Sequence, residues 1–182
     1  MKFITGNIAK FNEVKEFLPE LQQLDINLPE IQELDAYTVV TAKLKEAQKH
    51  IEKGTEFIIE DTSLYIEEMN LLPGTFIKWF LESLGVDGIW NLVKKFDSTK
   101  AYAKTIIGYV DRDANIHYFE GIIEGNIVEP RGVGFGWNPL FQVKGSMKNF
   151  AEMNNQEKKI FSMRAKAVKK LQLFLDQREN IR

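Results

Sequence analysis

The sequence predicts an α/β fold, and three observations carry that prediction. The first third alternates short apolar strands with helical patterns, a hairpin with long arms follows, and the chain closes on an amphipathic helix. Residues 2–5 read as a strand, and from Asn7 a helix places Phe11, Val14 and Leu18 on one face until Pro19 ends it. Residues 21–28 are mostly apolar with alternation suited to a strand. After Pro29 a second helix is marked by Val40, Leu44, Ala47 and Ile51 and stopped by Gly54. Phe57-Ile58-Ile59 reads as a buried strand ending at Glu60-Asp61. Leu72-Pro73-Gly74 is a turn, residues 76–81 an aromatic-rich helix, and residues 89–93 a second short one. Residues 101–110 and 116–128, joined by the turn 111–115, have the composition of an antiparallel hairpin, which makes the sheet mixed. A glycine-rich segment, 131–136, precedes a final helix with Phe161, Ala165, Val168, Leu171 and Leu175 on one face, and residues 176–182 read as a frayed charged tail.

With 182 residues, 44% of them hydrophobic and 27% charged, the chain is long enough for one folding unit with a real core. The net charge of -2, from 24 basic and 26 acidic residues, argues against a nucleic-acid surface and leaves local phosphate binding open. The absence of cysteine excludes a disulfide framework, a thiolate nucleophile and cysteine-ligated metal sites. His50 and His117 are too few for a multi-histidine zinc site, so acid–base work falls to carboxylates, lysines or metal-bound water. The N-terminal residues lack a continuous apolar run and no later segment approaches a membrane span, which reads as a cytoplasmic protein with no membrane partner.

Three constellations could carry chemistry. Thr5-Gly6-Asn7-Ile8-Ala9-Lys10 lies where a strand hands over to a helix, where unpaired backbone N–H groups and Lys10 could cradle a phosphate; alternatively Asn7 merely caps the helix. Lys10 stands in the first helical turn, where the dipole disfavours a cation by about 0.3–1 kcal/mol unless an anion is close. Glu60-Asp61-Thr62 ends the most apolar strand. Adjacent side chains there point to opposite faces, so the two carboxylates cannot form one dyad, and one of them could hold a hard divalent cation. Phe135-Gly136-Trp137-Asn138-Pro139 could stack on a base or could be a core plug under a loop.

Together with Leu28-Pro29-Glu30, Leu72-Pro73-Gly74, Phe76-Ile77-Lys78-Trp79-Phe80, Pro130-Arg131-Gly132 and Ala151-Glu152-Met153, these blocks stand in the order and spacing of the inosine triphosphate pyrophosphatases. The chain resembles that family from about residue 3 to residue 175, and the run Pro73 to Phe80 looks like its eukaryotic branch. The resemblance implies one domain of two α/β/α lobes around a long mixed sheet with a central substrate cleft, and a homodimer. It implies hydrolysis of ITP, dITP and XTP to monophosphate and pyrophosphate with magnesium, or manganese as a substitute. By motif, Thr5, Gly6, Asn7, Ile8, Ala9 and Lys10 would hold the phosphates, and Glu30 and Asp61 the metal. Asp61 would orient or deprotonate the attacking water beside Thr62, with Lys10 the second catalytic residue. Lys43, Lys78 and Lys158 would neutralise phosphate charge, and Arg164 with Phe135, Gly136, Trp137 and Asn138 would line the base pocket. Glu33 and Glu60 are further candidates for the metal.

Two departures fall on the base side. Asn138 stands where the family pattern has Asp, and Met163, in Ser162-Met163-Arg164, where it has His. An ionised Asp only accepts hydrogen bonds and so suits a 6-oxopurine N1–H, whereas an amide can donate or accept, so the base preference is expected to broaden or change. The rival readings are a pyrophosphatase of the Maf-like class for another nucleotide, and a nucleotide-binding protein without turnover.

Overall fold

The computed structural model describes residues 1–179, and residues 180–182 lie outside the described chain. The strands are β1 (Lys2–Ile4), β2 (Gln22–Leu24), β3 (Phe57–Ile66), β4 (Pro73–Gly74), β5 (Lys100–Val110), β6 (Ile116–Ile127) and β7 (Phe141–Val143). The helices are α1 (Ile8–Lys15), α2 (Ala36–Ala47), α3 (Ile77–Val93), α4 (Asn155–Phe161) and α5 (Met163–Glu179). The strands form one seven-stranded sheet in the order β2-β1-β3-β5-β6-β7, with β4 paired to β3. It is mixed: β1 runs parallel to β2 and β3, whereas β3 with β4 and β6 with β7 are antiparallel. The α/β class follows from this order.

The chain divides into two compact units: Met1–Asp61, Thr105–Gly121 and the chain from Arg164 on form the first, and Thr62–Lys104 with Ile122–Met163 the second. In the first unit the apolar residues sort onto two faces by strand alternation. Phe3, Ile58, Ile107 and Tyr109 pack with Phe11 and Val14 of α1 and with Ala167, Val168 and Leu171 of α5. Ile4, Phe57, Ile59, Ile106 and Val110 pack with Ala36, Val40, Leu44 and Ala47 of α2. The sheet is thus covered on both sides, which explains why Phe57, Ile58 and Ile59 are all buried. The second unit has its own core, in which Leu64, Ile66, Ala101 and Ala103 meet Ile77, Ile89 and Val93 of α3 and the aromatic group Trp137, Phe141 and Phe150.

Several boundaries differ from the sequence reading. Strand β3 does not end at Glu60-Asp61 but continues to Ile66, so the carboxylates sit mid-strand. The helix expected to reach Gly54 stops at Ala47, since Gln48 is its C-cap, and Ile51 falls in the following turns. The two helices expected at 76–81 and 89–93 are both present, as the two halves of α3 on either side of Gly85, whose φ of 67° and ψ of 177° are non-helical and adopted cheaply only by glycine. The final helix is two, α4 and α5, because Ser162 takes an extended conformation with ψ 144°. α4 opens on a capping box in which Asn154 and Glu157 each accept the other's backbone N–H. Leu72-Pro73-Gly74 contributes the short strand β4 through a cis Leu72–Pro73 bond. Helix α5 continues through Glu179, and the rest of the tail read as frayed lies outside the described residues. Among the described residues, no helix is long and apolar enough to cross a membrane.

Candidate active site

Alternation along β3 decides where its two carboxylates go. Glu60 shares the face of Ile58, towards α1 and α5, and Asp61 shares the face of Ile59, towards α2. Each meets a cation supplied by the helix on its side.

On the α2 side, Lys43 donates from Nζ to Asp61 Oδ1 at 2.9 Å and to Glu30 Oε1 at 2.8 Å. Val40, Leu44 and Ala47 anchor α2 in the core, and Asp35 caps it by accepting the N–H of Thr38 at 2.9 Å. The Lys43 side chain is only 9% exposed, while that of Glu30 is 41% exposed. Burial pulls the Lys43 ammonium down, but the charge and hydrogen bonds of Asp61 and Glu30 outweigh it and hold its pKa above the ordinary lysine value.

On the other side, Arg164 is buried and forks onto Glu60, with Nε donating to Oε2 and Nη2 to Oε1 at 3.0 Å. Its Nη1 donates to Glu13 Oε2. Lys10 Nζ stands 3.2 Å from Glu60 Oε1. Burial works against the guanidinium charge, yet Glu60 and Glu13 overcome it, so the Arg164 pKa is raised. The dipole conflict expected for Lys10 is therefore met inside the protein, by Glu60.

The Thr5–Lys10 segment joins β1 to α1. Asn7 is the N-cap, its Oδ1 accepting the Lys10 N–H at 3.0 Å, and its own N–H donates to Thr5 Oγ1 at 3.1 Å. A Cβ at Gly6 would stand 3.0 Å from Asp25 Oδ1, a tight contact that a small shift of the Asp25 side chain would relieve. Lys2 pairs with Phe57 and Phe3 with Ile58, so β1 runs alongside β3, and Lys10 at the end of the segment reaches Glu60 at 3.2 Å. Gly6, Asn7 and Ile8 are exposed, leaving the segment open to a ligand.

The second unit holds the remaining candidates. Thr62 follows Asp61 on β3, Lys78 lies exposed near the start of α3 with Nζ 5.4 Å from the Trp79 ring centroid, and Lys158 is half-buried on α4. Trp137 is a core side chain, packed edge-on to Phe141 at 5.6 Å, so the stacking surface expected of it is largely spent inside the protein. Met163 is buried in the same cluster. Phe135 is the exposed ring of the loop, and Asn138 is 8% exposed, with its backbone tied to Phe135 and Ala151. Gly136, at φ 60°, turns the chain between them. A half-open cavity of about 470 Å³, lined by Lys100, Tyr102, Lys104, Glu124 and Lys144 among others, contains none of these candidates.

The Ham1 family model matches residues 1–174. The chain belongs to the Ham1 family. Among its relatives, the inosine triphosphate pyrophosphatase of Schizosaccharomyces pombe is 43% identical over 183 residues, covering 98% of this chain and 96% of that protein. The one from Saccharomyces cerevisiae is 36% identical, covering 97% and 96%. The solved Staphylococcus aureus Ham1 protein superposes with a TM-score of 0.78 at 22% identity, covering 98% of this chain and all of the other. A Coxiella burnetii HAM1 protein gives 0.77 at 24%, covering 97% and 98%. At such identities the two structures establish the Ham1 fold.

Within this Ham1 chain, sequence reasoning missed Glu13, the second carboxylate on Arg164. The signal was present, since Glu13 lies three residues after Lys10 and so shares its helix face. Glu60, a candidate for the metal, is instead taken up by Arg164 and Lys10. Glu33 accepts the Leu34 N–H at 2.7 Å from its own loop. Arg164, expected at the base, directs three nitrogens at carboxylates of the first unit.

Proposed function

We propose that this chain hydrolyses non-standard purine nucleoside triphosphates of the ITP, dITP and XTP type between the α and β phosphates, giving a monophosphate and pyrophosphate. Its relatives' names support the substrate class. The observation that carries the reading is the convergence of Glu30 and Asp61 on one cation, Lys43 Nζ, in the unit that also holds the capped loop Thr5–Lys10. A polyanion gains most from fixed cations and N–H groups placed where charge develops, and this constellation offers both. Exposed N–H groups at the start of α1 bind phosphate oxygens, with Lys10 adding charge. Asp61 accepts a hydrogen bond from the attacking water and orients it.

Glu30 and Asp61 fit a magnesium ion. Both are hard oxygen donors, and they already close on a single positive centre at 2.8 and 2.9 Å. Among the described residues no group of three or more acidic or histidine side chains that could hold a metal is present, so Glu30 and Asp61 would be the protein's ligands. Magnesium, with manganese as a substitute, supplies Lewis-acid charge neutralisation at the phosphoryl oxygens when bound. A homodimer and a cytoplasmic setting belong to the same reading; light scattering behind size-exclusion chromatography tests the first and cell fractionation the second.

Asn138 and Met163 bear on the base. An amide in place of a carboxylate relaxes the demand for an N1–H donor, so the ITP preference over ATP is smaller here than a carboxylate would set. Monophosphate formation from ITP, XTP, dITP, GTP, ATP and UTP, with magnesium and with chelator, tests the function. Magnesium-dependent turnover led by ITP, dITP or XTP is expected. A pyrimidine nucleotide in first place, or binding without turnover, would contradict it.

A further inference from the structure

We propose that Lys43 is a displaceable cation that keeps divalent metal off Glu30 and Asp61 until a phosphate group takes its ammonium, so that metal and polyphosphate bind as one coupled event. The inference rests on the reading of Glu30 and Asp61 as the metal's carboxylates. One ammonium stands within hydrogen-bond distance of both, at 2.8 and 2.9 Å, in the position a shared cation would take. A divalent ion and the ammonium cannot occupy it together, because like charges at contact repel and both need the same two oxygens.

Charge counting shows what displacement requires. The ammonium brings one positive charge against two negative ones, so a divalent ion neutralises the pair more fully than Lys43 does. Displacement on its own strands Lys43, whose side chain is 9% exposed, without the counterions that hold its charge. Helix α2 cannot carry it out to solvent, because Val40, Leu44 and Ala47 fix the helix in the core. The flexible four-carbon stem can turn the ammonium to a new anion brought by the substrate, and a phosphate group is such an anion. Metal entry therefore improves when phosphate is bound, and by linkage phosphate binding improves when metal is bound. Lys10 differs: if phosphate draws it away, Glu60 keeps the forked guanidinium of Arg164.

The test titrates Mn²⁺ into the full chain, without nucleotide, and follows free Mn²⁺ by electron paramagnetic resonance. Lys43→Met and Lys43→Gln are compared with the unaltered protein, with circular dichroism confirming the fold; Gln keeps a polar end without charge and stands in if Met fails to fold. Removing the ammonium is expected to tighten Mn²⁺ binding by about tenfold or more, within the range of site-to-site couplings. Adding Glu30→Gln to either variant is expected to remove the gain. Equal Mn²⁺ affinity with and without the Lys43 charge, still lost on Glu30→Gln, overturns the displacement while sparing the metal site. Mn²⁺ binding in the Lys43 variants that neither Glu30→Gln nor Asp61→Asn weakens overturns the metal site as well.

Discussion

Glu60 and Asp61 are neighbours on β3 and face opposite sides of it, Glu60 held by the forked guanidinium of Arg164 and Asp61 by the ammonium of Lys43. The two sides differ in kind. Arg164 and Glu60 are both buried, while the Lys43 cluster reaches solvent through Glu30. The first pair has the character of a fastening between α5 and β3, and the second that of an ion-pair cluster open to solvent.

Arg164→Leu should therefore act first on stability. Removing Arg164 leaves buried Glu60 with Lys10 as its remaining cation, so the cost should approach but not exceed the about 3–5 kcal/mol of a fully broken buried pair. Replacing Glu60 by Leu in the same chain should recover much of that loss. Urea unfolding of the two single variants and the double variant measures the coupling, and additive losses would show that the pair does not fasten the two elements.

Asp111 makes the first unit sensitive to acid. Burial pushes its carboxyl up, but His117, the N–H groups of Asn115 and Asp113 and the Asn115 amide bring it down to about 2, below the usual 3.8. The folded protein thus takes up this proton at lower pH than the unfolded chain. The resulting stabilisation, about 2 kcal/mol, is complete above roughly pH 5 and lost as pH falls towards 2. The stability difference between the unaltered protein and Asp111→Asn should shrink over that window; a difference constant from pH 7 to pH 2.5 would refute it.

Gly108 of β5 lies against Val40 and Leu44 of α2. A Cβ there would stand 2.5 Å from Leu44 Cδ1 and 2.8 Å from Val40 Cγ1. Gly108→Ala should cost about 1–3 kcal/mol by overpacking. Because Val40 and Leu44 flank Lys43, it should also alter Mn²⁺ affinity, whereas Gly54→Ala, which meets no neighbour but is strained by a φ of 83°, should cost stability and leave Mn²⁺ affinity unchanged. Calorimetry and Mn²⁺ titration of the two variants give the comparison.

Asn138→Asp should narrow the base preference. A carboxylate accepts from the N1–H of a 6-oxopurine and repels the N1 lone pair of adenine, so the ratio of kcat/KM for ITP over ATP should rise by about tenfold or more. An unchanged ratio would remove Asn138 from base recognition.

Much of the fold was legible because local patterns and tertiary packing agree. Phe11 with Val14, and Val40 with Leu44 and Ala47, form the helix faces their spacing suggests, and the hairpin of β5 and β6 lies within a residue of its expected ends. The strand through Glu60 and Asp61 was cut short because paired charges imitate a strand end; distant partners, Arg164, Lys10 and Lys43, offset their charges inside β3. The break at Ser162 was hidden because Phe161 and Ala165 keep helical spacing across it.

Of the candidate site, the sequence shows the residues and not their contacts. Alternation foretold that Glu60 and Asp61 part company, and the loop before α1 announced its cap at Asn7. Residues 30, 43 and 61 meet only through the packing of α2 on the sheet, which no local pattern encodes.

The most direct measurement follows pyrophosphate and orthophosphate separately as the protein turns over ITP with magnesium, beside Asp61→Asn. Pyrophosphate equal to the inosine monophosphate formed, with a rate at least about 100-fold lower in Asp61→Asn, is the predicted result. Orthophosphate as the first product, or an Asp61→Asn rate close to that of the unaltered protein, would contradict the assignment of bond and residue.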